Sequence, residues 1–127
     1  MEKTIIKTSN APSAIGPYSQ AIKSGNFLFA SGQIPLDPVS GEMVGSDIQS
    51  QTERVMQNIK GVLESQNLSF ANVVKTTCFL SDMSNFASFN EVYSKYFTEN
   101  PPARSCVAVK QLPKDALVEV EIIAVFN

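Results

Sequence analysis

The run LVEVEIIAVF, residues 117–126, decides the fold. Side chains alternate between the two faces of a strand. Read that way, Val118, Val120, Ile122, Ala124 and Phe126 form one wholly apolar face. Leu117, Glu119, Glu121, Ile123 and Val125 form the other, which mixes carboxylates with aliphatic groups. A wholly apolar sheet face needs a second layer to cover it, so helices are expected against 118, 120, 122 and 124.

The segments upstream supply those helices. In DIQSQTERVMQNIKGVLESQ (47–66), Ile48, Thr52, Val55, Ile59, Val62 and Leu63 recur at helical spacing, opposite Glu53, Gln57, Lys60 and Glu64. Ser46 and Gln49 have capping-box spacing at its start. A second stripe, Phe86, Phe89, Tyr93, Tyr96 and Phe97, predicts a helix over about 85–98. Pro101 and Pro102 close it, because the residue before a proline avoids the helical region. The remaining strands are read at 3–8, at an edge, and on either side of a turn at Ser24-Gly25-Asn26. Two more lie at 73–80 and 103–109, and a short one near Met43. The expected architecture is an α/β (α+β) two-layer sandwich, a mixed sheet of six principal strands with two helices on one face. Two helices leave the other sheet face, with Phe27 and Phe29, uncovered. A second copy of the chain is the simplest cover, and loops folded over a monomer are the alternative.

Composition narrows the chemistry. The 127 residues fit one domain, 1–127, with a formal net charge of −2. Lys and Arg are scattered, so no nucleic-acid footprint is expected. No apolar run is long enough for a bilayer, and MEKTIIKTSN (1–10) lacks the apolar core of a secretory signal. No membrane association and a cytoplasmic location are the expectation. There is no histidine, which removes the usual catalytic base and most zinc sites. Cys78 and Cys106 lie in apolar runs and read as small, reduced, buried residues. Neither a Walker A loop nor GxGxxG occurs.

Proton chemistry therefore falls to carboxylates and a few other groups. Glu121 leads into five apolar residues before the terminal asparagine, so it is expected to be the more buried of the pair and a candidate acid/base. Glu119 reads as a solvated strand residue. Arg104 starts the apolar run of CVAV and needs a partner. That partner is either Glu119 or Glu121 across adjacent strands, or a carboxylate ligand gripped by the planar fork. Gly32 interrupts a strand, as at a bulge or a close backbone approach. Tyr18, after Gly16-Pro17, reads as an anchoring aromatic.

AIGPYSQA (14–21), SGQIP (31–35), PARSCV (102–107) and LPKDALVEVEIIAV (112–125), in this order, resemble the reactive intermediate deaminase family, Rid or YjgF, in its arginine-containing active branch. The resemblance implies a chorismate-mutase-like homotrimer with ligand clefts between neighbouring subunits. It implies hydrolysis of enamines and imines derived from amino acids, such as 2-aminoacrylate/2-iminopropanoate and 2-iminobutanoate, to 2-oxo acids and ammonia without cofactor or metal. By motif, Arg104 would bind the substrate carboxylate. Glu121 would activate water and pass a proton to the departing nitrogen, and Tyr18 would pack on or hydrogen-bond the ligand. Gly32 and Cys106 would line the site through their backbone. Ser31 and Asn90 would add lining or polar support. Two other readings remain. One is a regulatory module that holds 2-oxo acids or related carboxylates without turnover. The other is the nucleic-acid-directed role described for some relatives.

Overall fold

The computed structural model describes residues 2–127. Its elements run β1 (Thr4–Ile6), β2 (Ala21–Ser24), β3 (Phe27–Ala30), α1 (Ile48–Ser65), β4 (Val73–Leu80), α2 (Phe86–Tyr93), β5 (Ala103–Ala108) and β6 (Val118–Val125). The six strands form one sheet in the order β1-β2-β3-β6-β4-β5. Only β4 and β5 run parallel, and the other neighbours are antiparallel. The mixed sheet and two helices match the expected fold. β1 does lie at the edge, and the strand expected near Met43 is a single bridge to Leu36.

β6 keeps the expected parity. Val118, Val120, Ile122 and Ala124 are buried with Leu28 and Ala30 of β3 and with Thr76, Cys78 and Leu80 of β4. Against them α1 packs Val55, Met56, Ile59, Val62 and Leu63, and α2 packs Phe89 and Tyr93. Each such side chain contributes about 1.5–3 kcal/mol by leaving water. The opposite sheet face keeps Phe27 and Phe29 exposed, paired with Val125 and Ile123.

Three local expectations are corrected. Asp47, not Ser46, caps α1: its side chain accepts from the Ser50 backbone N–H at 2.7 Å. A carboxylate there also suits the positive end of the helix dipole. α2 ends at Tyr93 rather than near 98. Beyond it the chain tightens into successive bonds to the third residue back, from Lys95 to Val92, Tyr96 to Tyr93 and Phe97 to Ser94. That turn keeps Phe97 in the core and swings Tyr96 toward α1, where its hydroxyl bonds Glu53 and accepts from Gln57 Nε2. Finally, no Arg104 pair with Glu119 or Glu121 across adjacent strands is possible within the chain, since β4 lies between β5 and β6.

β3 leaves the sheet through a bulge. From Phe29 to Gln33 the chain advances four residues, while β6 moves three, from Ile123 to Val120. The extra residue falls at Ala30–Gly32, where the sequence suggested a bulge or close approach at Gly32.

Candidate functional site

Two clefts, on opposite sides of the sheet, gather the candidate residues other than Cys106. Strand pairing puts Arg104 and Cys106 on the helix face, opposite Thr76 and Cys78. It puts Glu119 and Glu121 on the open face, opposite Phe79 and Thr77.

The first cleft lies at the free edge of β5 and holds about 370 Å³, bounded by Asn90, Tyr93, Phe97, Pro101, Pro102 and Arg104. Arg104 Nη1 donates to Asn90 Oδ1 at 2.7 Å. Its guanidinium also sits over the rings of Tyr93, 4.9 Å from the centroid, and Phe86, 5.4 Å. The rings and the amide fix the fork without neutralising it, because cation–π contacts and a neutral amide leave the charge in place. Tyr93 is itself anchored, its hydroxyl 2.8 Å from Thr76 Oγ1 inside the core. Cys106 is half-buried two residues along the same strand face. Burial pushes its thiol up, against the opposing pull of Arg104. A thiol held protonated is a poor nucleophile.

The second cleft, about 510 Å³, opens on the other face. Its floor is β6 with Glu119 and Glu121, and one wall is the bulge at Ser31 and Gly32. The loop carrying Tyr18 and the turn at Pro113–Asp115 close it. Tyr18 is half-exposed at the mouth, and its backbone N–H donates to the Gly16 carbonyl at 2.8 Å in a tight turn. The Ser31 hydroxyl donates to the Ser19 carbonyl at 2.6 Å, so its proton is committed to joining loop and bulge. On the far wall Lys114 and Asp115 both take left-handed backbone, φ 55° and 56°, which is uncommon outside glycine. Gln111 Nε2 donates to Asp115 Oδ1 at 2.6 Å and holds that turn.

The burial of the two glutamates is the reverse of the sequence expectation. Glu121 is exposed, whereas Glu119 is half-buried beneath the cleft walls. Desolvation, reinforced by the negative charge of Glu121, raises the Glu119 carboxyl above its ordinary range.

Sequence reasoning also missed Gln20. This buried amide organises the Tyr18 loop, with Oε1 accepting from the Thr8 N–H at 2.7 Å. Its Nε2 donates to the carbonyls of Thr8, Ala11 and Pro12 at 3.0, 3.2 and 2.8 Å. A glutamine at a strand entrance after a Pro/Gly loop is the signal that would have marked it. Among the described residues, no group of three or more His, Cys, Asp or Glu is arranged to hold a metal ion.

The sequence profile of the family described as Endoribonuclease L-PSP matches residues 8–126 of the chain. The chain belongs to the Rid (YjgF) family. Rid relatives align almost end to end with it. A RutC family protein of Pyrococcus horikoshii is 57% identical over 122 residues, covering 96% of this chain and 97% of that one. Among solved structures, a Rid-family protein of Yersinia pestis superimposes with TM-score 0.93 at 48% identity, covering 98% and 99% of the two chains. The E. coli protein TdcF, solved with bound serine, gives 0.93 at 42% identity, with 98% and 99% covered. RidA of an Antarctic Psychrobacter gives 0.93 at 41%, with 97% and 99% covered. Rid membership supports an imine-deaminase-like or general family role. No helix among the described residues is long and apolar enough to cross a membrane.

Proposed function

We propose that the protein is a cytoplasmic 2-iminobutanoate/2-iminopropanoate deaminase, hydrolysing enamine and imine intermediates to 2-oxo acids and ammonia. The observation that carries this reading is the Arg104 fork. It is held on two rings and one amide, faces a cleft, and makes its protein hydrogen bond to a neutral group. A charge so prepared suits a small carboxylate. The serine bound to TdcF is an amino acid with such a carboxylate.

The two clefts lie on opposite faces, so one chain cannot bring Arg104 and a β6 carboxylate to one substrate. A homotrimer, each site joining the Arg104 cleft of one subunit to the β6 cleft of the next, would complete the constellation. It would also bury the exposed Phe27 and Phe29. Arg104 then clamps the substrate carboxylate, and Asn90 keeps the fork in plane. Water adds to C2 of the iminium, giving one proton to a glutamate and forming the carbinolamine. That glutamate returns the proton to nitrogen and the C–N bond breaks with its electron pair on the nitrogen, while the C2–OH gives its proton to the same glutamate and becomes a carbonyl; the ammonia released then takes up that proton. The products are the 2-oxo acid and ammonium. The resemblance assigned this role to Glu121. The desolvation of Glu119 favours Glu119 as the proton carrier, with Glu121 keeping its pKa high. Tyr18, Ser31 and Gly32 line the site from one subunit and Cys106 from the other.

The test is 2-oxo acid formation from 2-aminoacrylate generated in situ, with wild type, Arg104→Ala, Glu119→Gln and Glu121→Gln at equal oligomer content. Acceleration by wild type, lost in Arg104→Ala and Glu119→Gln, is the expected result. Loss in Glu121→Gln alone would return the role to Glu121. No acceleration by folded wild type would refute the deaminase and favour a 2-oxo acid sensor.

A further inference from the structure

Gly32 raises a question that backbone conformation does not answer. Its φ is not in the left-handed region, unlike Gly25, Gly41 and Gly45, so its backbone alone would admit any residue. Nor is it wedged against another backbone, as Gly61 of α1 is against the Asn10 carbonyl. A methyl carbon built at Gly32 would instead have one side chain as its nearest neighbour. It would lie 2.5 Å from Glu119 Oε2, 2.8 Å from the carboxyl carbon and 3.0 Å from Cγ. Those three nearest atoms are the free end of one flexible chain.

We propose that Gly32 is a positioning residue for Glu119: the missing side chain at the bulge is the seat into which the Glu119 carboxylate folds. Any side chain at 32 expels that carboxylate and leaves the fold intact. This rests on the reading of Glu119 as proton carrier. The bulge brings the backbone over β6, and the glycine leaves room for a carboxylate beneath it. The seat removes water from the carboxylate and holds it beside Glu121. The other titratable groups lining the same cleft are Lys114 from the 113–115 turn and Tyr18 from the loop. From β4 come uncharged Phe79 and Thr77, with Lys75 beyond Glu121. Displacement toward solvent lowers the carboxyl toward its ordinary range, since desolvation is the larger cause of its rise.

The experiment compares wild type, Gly32→Ala, Glu119→Gln and the double variant. It reads thermal melting, the carboxyl titration of Glu119 by carbon NMR, and hydrolysis of 2-iminopropanoate. Gly32→Ala is expected to fold and melt close to wild type. Its Glu119 titration moves down toward the ordinary carboxylate range. Its kcat falls by roughly 10–100-fold, as expected for a displaced catalytic group, with KM little changed. In the double variant Gly32→Ala adds nothing to Glu119→Gln, because both act through one carboxylate. An unmoved titration would overturn the inference. So would an unfolded Gly32→Ala protein, or a Gly32→Ala cost that persists in the Glu119→Gln background. Should wild type show no imine turnover, the deaminase reading fails, and the NMR titration still decides the role of Gly32.

Discussion

Replacing Gln20 by alanine tests whether one buried amide holds the cleft loop. Four hydrogen bonds disappear, and their partners are the backbone groups of Thr8, Ala11 and Pro12. A net bond is worth about 1 kcal/mol, and a buried group left unpaired costs about 1–3 kcal/mol. Ala11 is buried, so its carbonyl bears most of that penalty, whereas Thr8 and Pro12 are half-buried and regain water. The sum is a destabilisation of about 2–3 kcal/mol. At roughly 4 °C per kcal/mol for a domain of this size, the melting point should fall by about 8–12 °C. Because assembly shifts apparent stability by mass action, melting and urea curves are compared at one protomer concentration. Gln20→Glu restores the volume without the donors and should be at least as harmful, since its carboxylate would face three carbonyls. A Gln20→Ala midpoint within about 2 °C of wild type, or a Gln20→Glu protein as stable as wild type, would refute the argument. The loop would then be held by packing alone.

Two further outcomes follow from the clefts. Arg104→Lys keeps a charge over Tyr93 but cannot serve Asn90 and a carboxylate with one rigid fork. The loss of roughly 1.5–3 kcal/mol of charge-assisted bonding should lower kcat/KM about 10–150-fold, with melting nearly unchanged, and an equally active lysine variant would exclude a two-pronged grip. Glu119 has a carboxyl raised on folding, so ionising it opposes folding. This cost is absent below the ordinary carboxylate range and complete above the folded-state pKa. Glu119→Gln should therefore melt above wild type at pH 7, with the gap closing as pH falls toward the ordinary carboxylate range, and a constant gap across that interval would contradict the assigned desolvation.

What was legible in the sequence was what repeats along it. The period of two in 118–125 and of 3.6 in 48–65 are local consequences of backbone geometry, so the layers could be read directly. The Glu pair was misjudged because burial was inferred from neighbours in sequence. Glu119 is covered instead by a loop near residue 18 and a bulge near residue 32, and no local pattern records that. The buried amides failed for the same reason. Asn58 donates to the carbonyls of Ile34 and Leu36, and Gln51 accepts from the Leu117 N–H, all partners from distant segments. The end of α2 was misplaced because aromatic spacing continues through a tightened turn as readily as through a helix. Arg104 was singled out as needing a partner, but strand order, which excludes the internal pair, is invisible to composition.

The alternation of β6 gives this strand two independent vocabularies. Its even positions speak only to the helices and its odd positions only to the open face, where Glu119 and Glu121 floor the cleft. Substitutions at 119 or 121 can remodel what the cleft accepts without disturbing the interior, so a lineage could wander among ligands while its scaffold stands still. The same arrangement makes the strand intolerant of a change in length. Deleting one residue would exchange the two vocabularies at once, turning carboxylates inward and valines outward. Evolution of this segment should therefore proceed by replacement and almost never by insertion or loss.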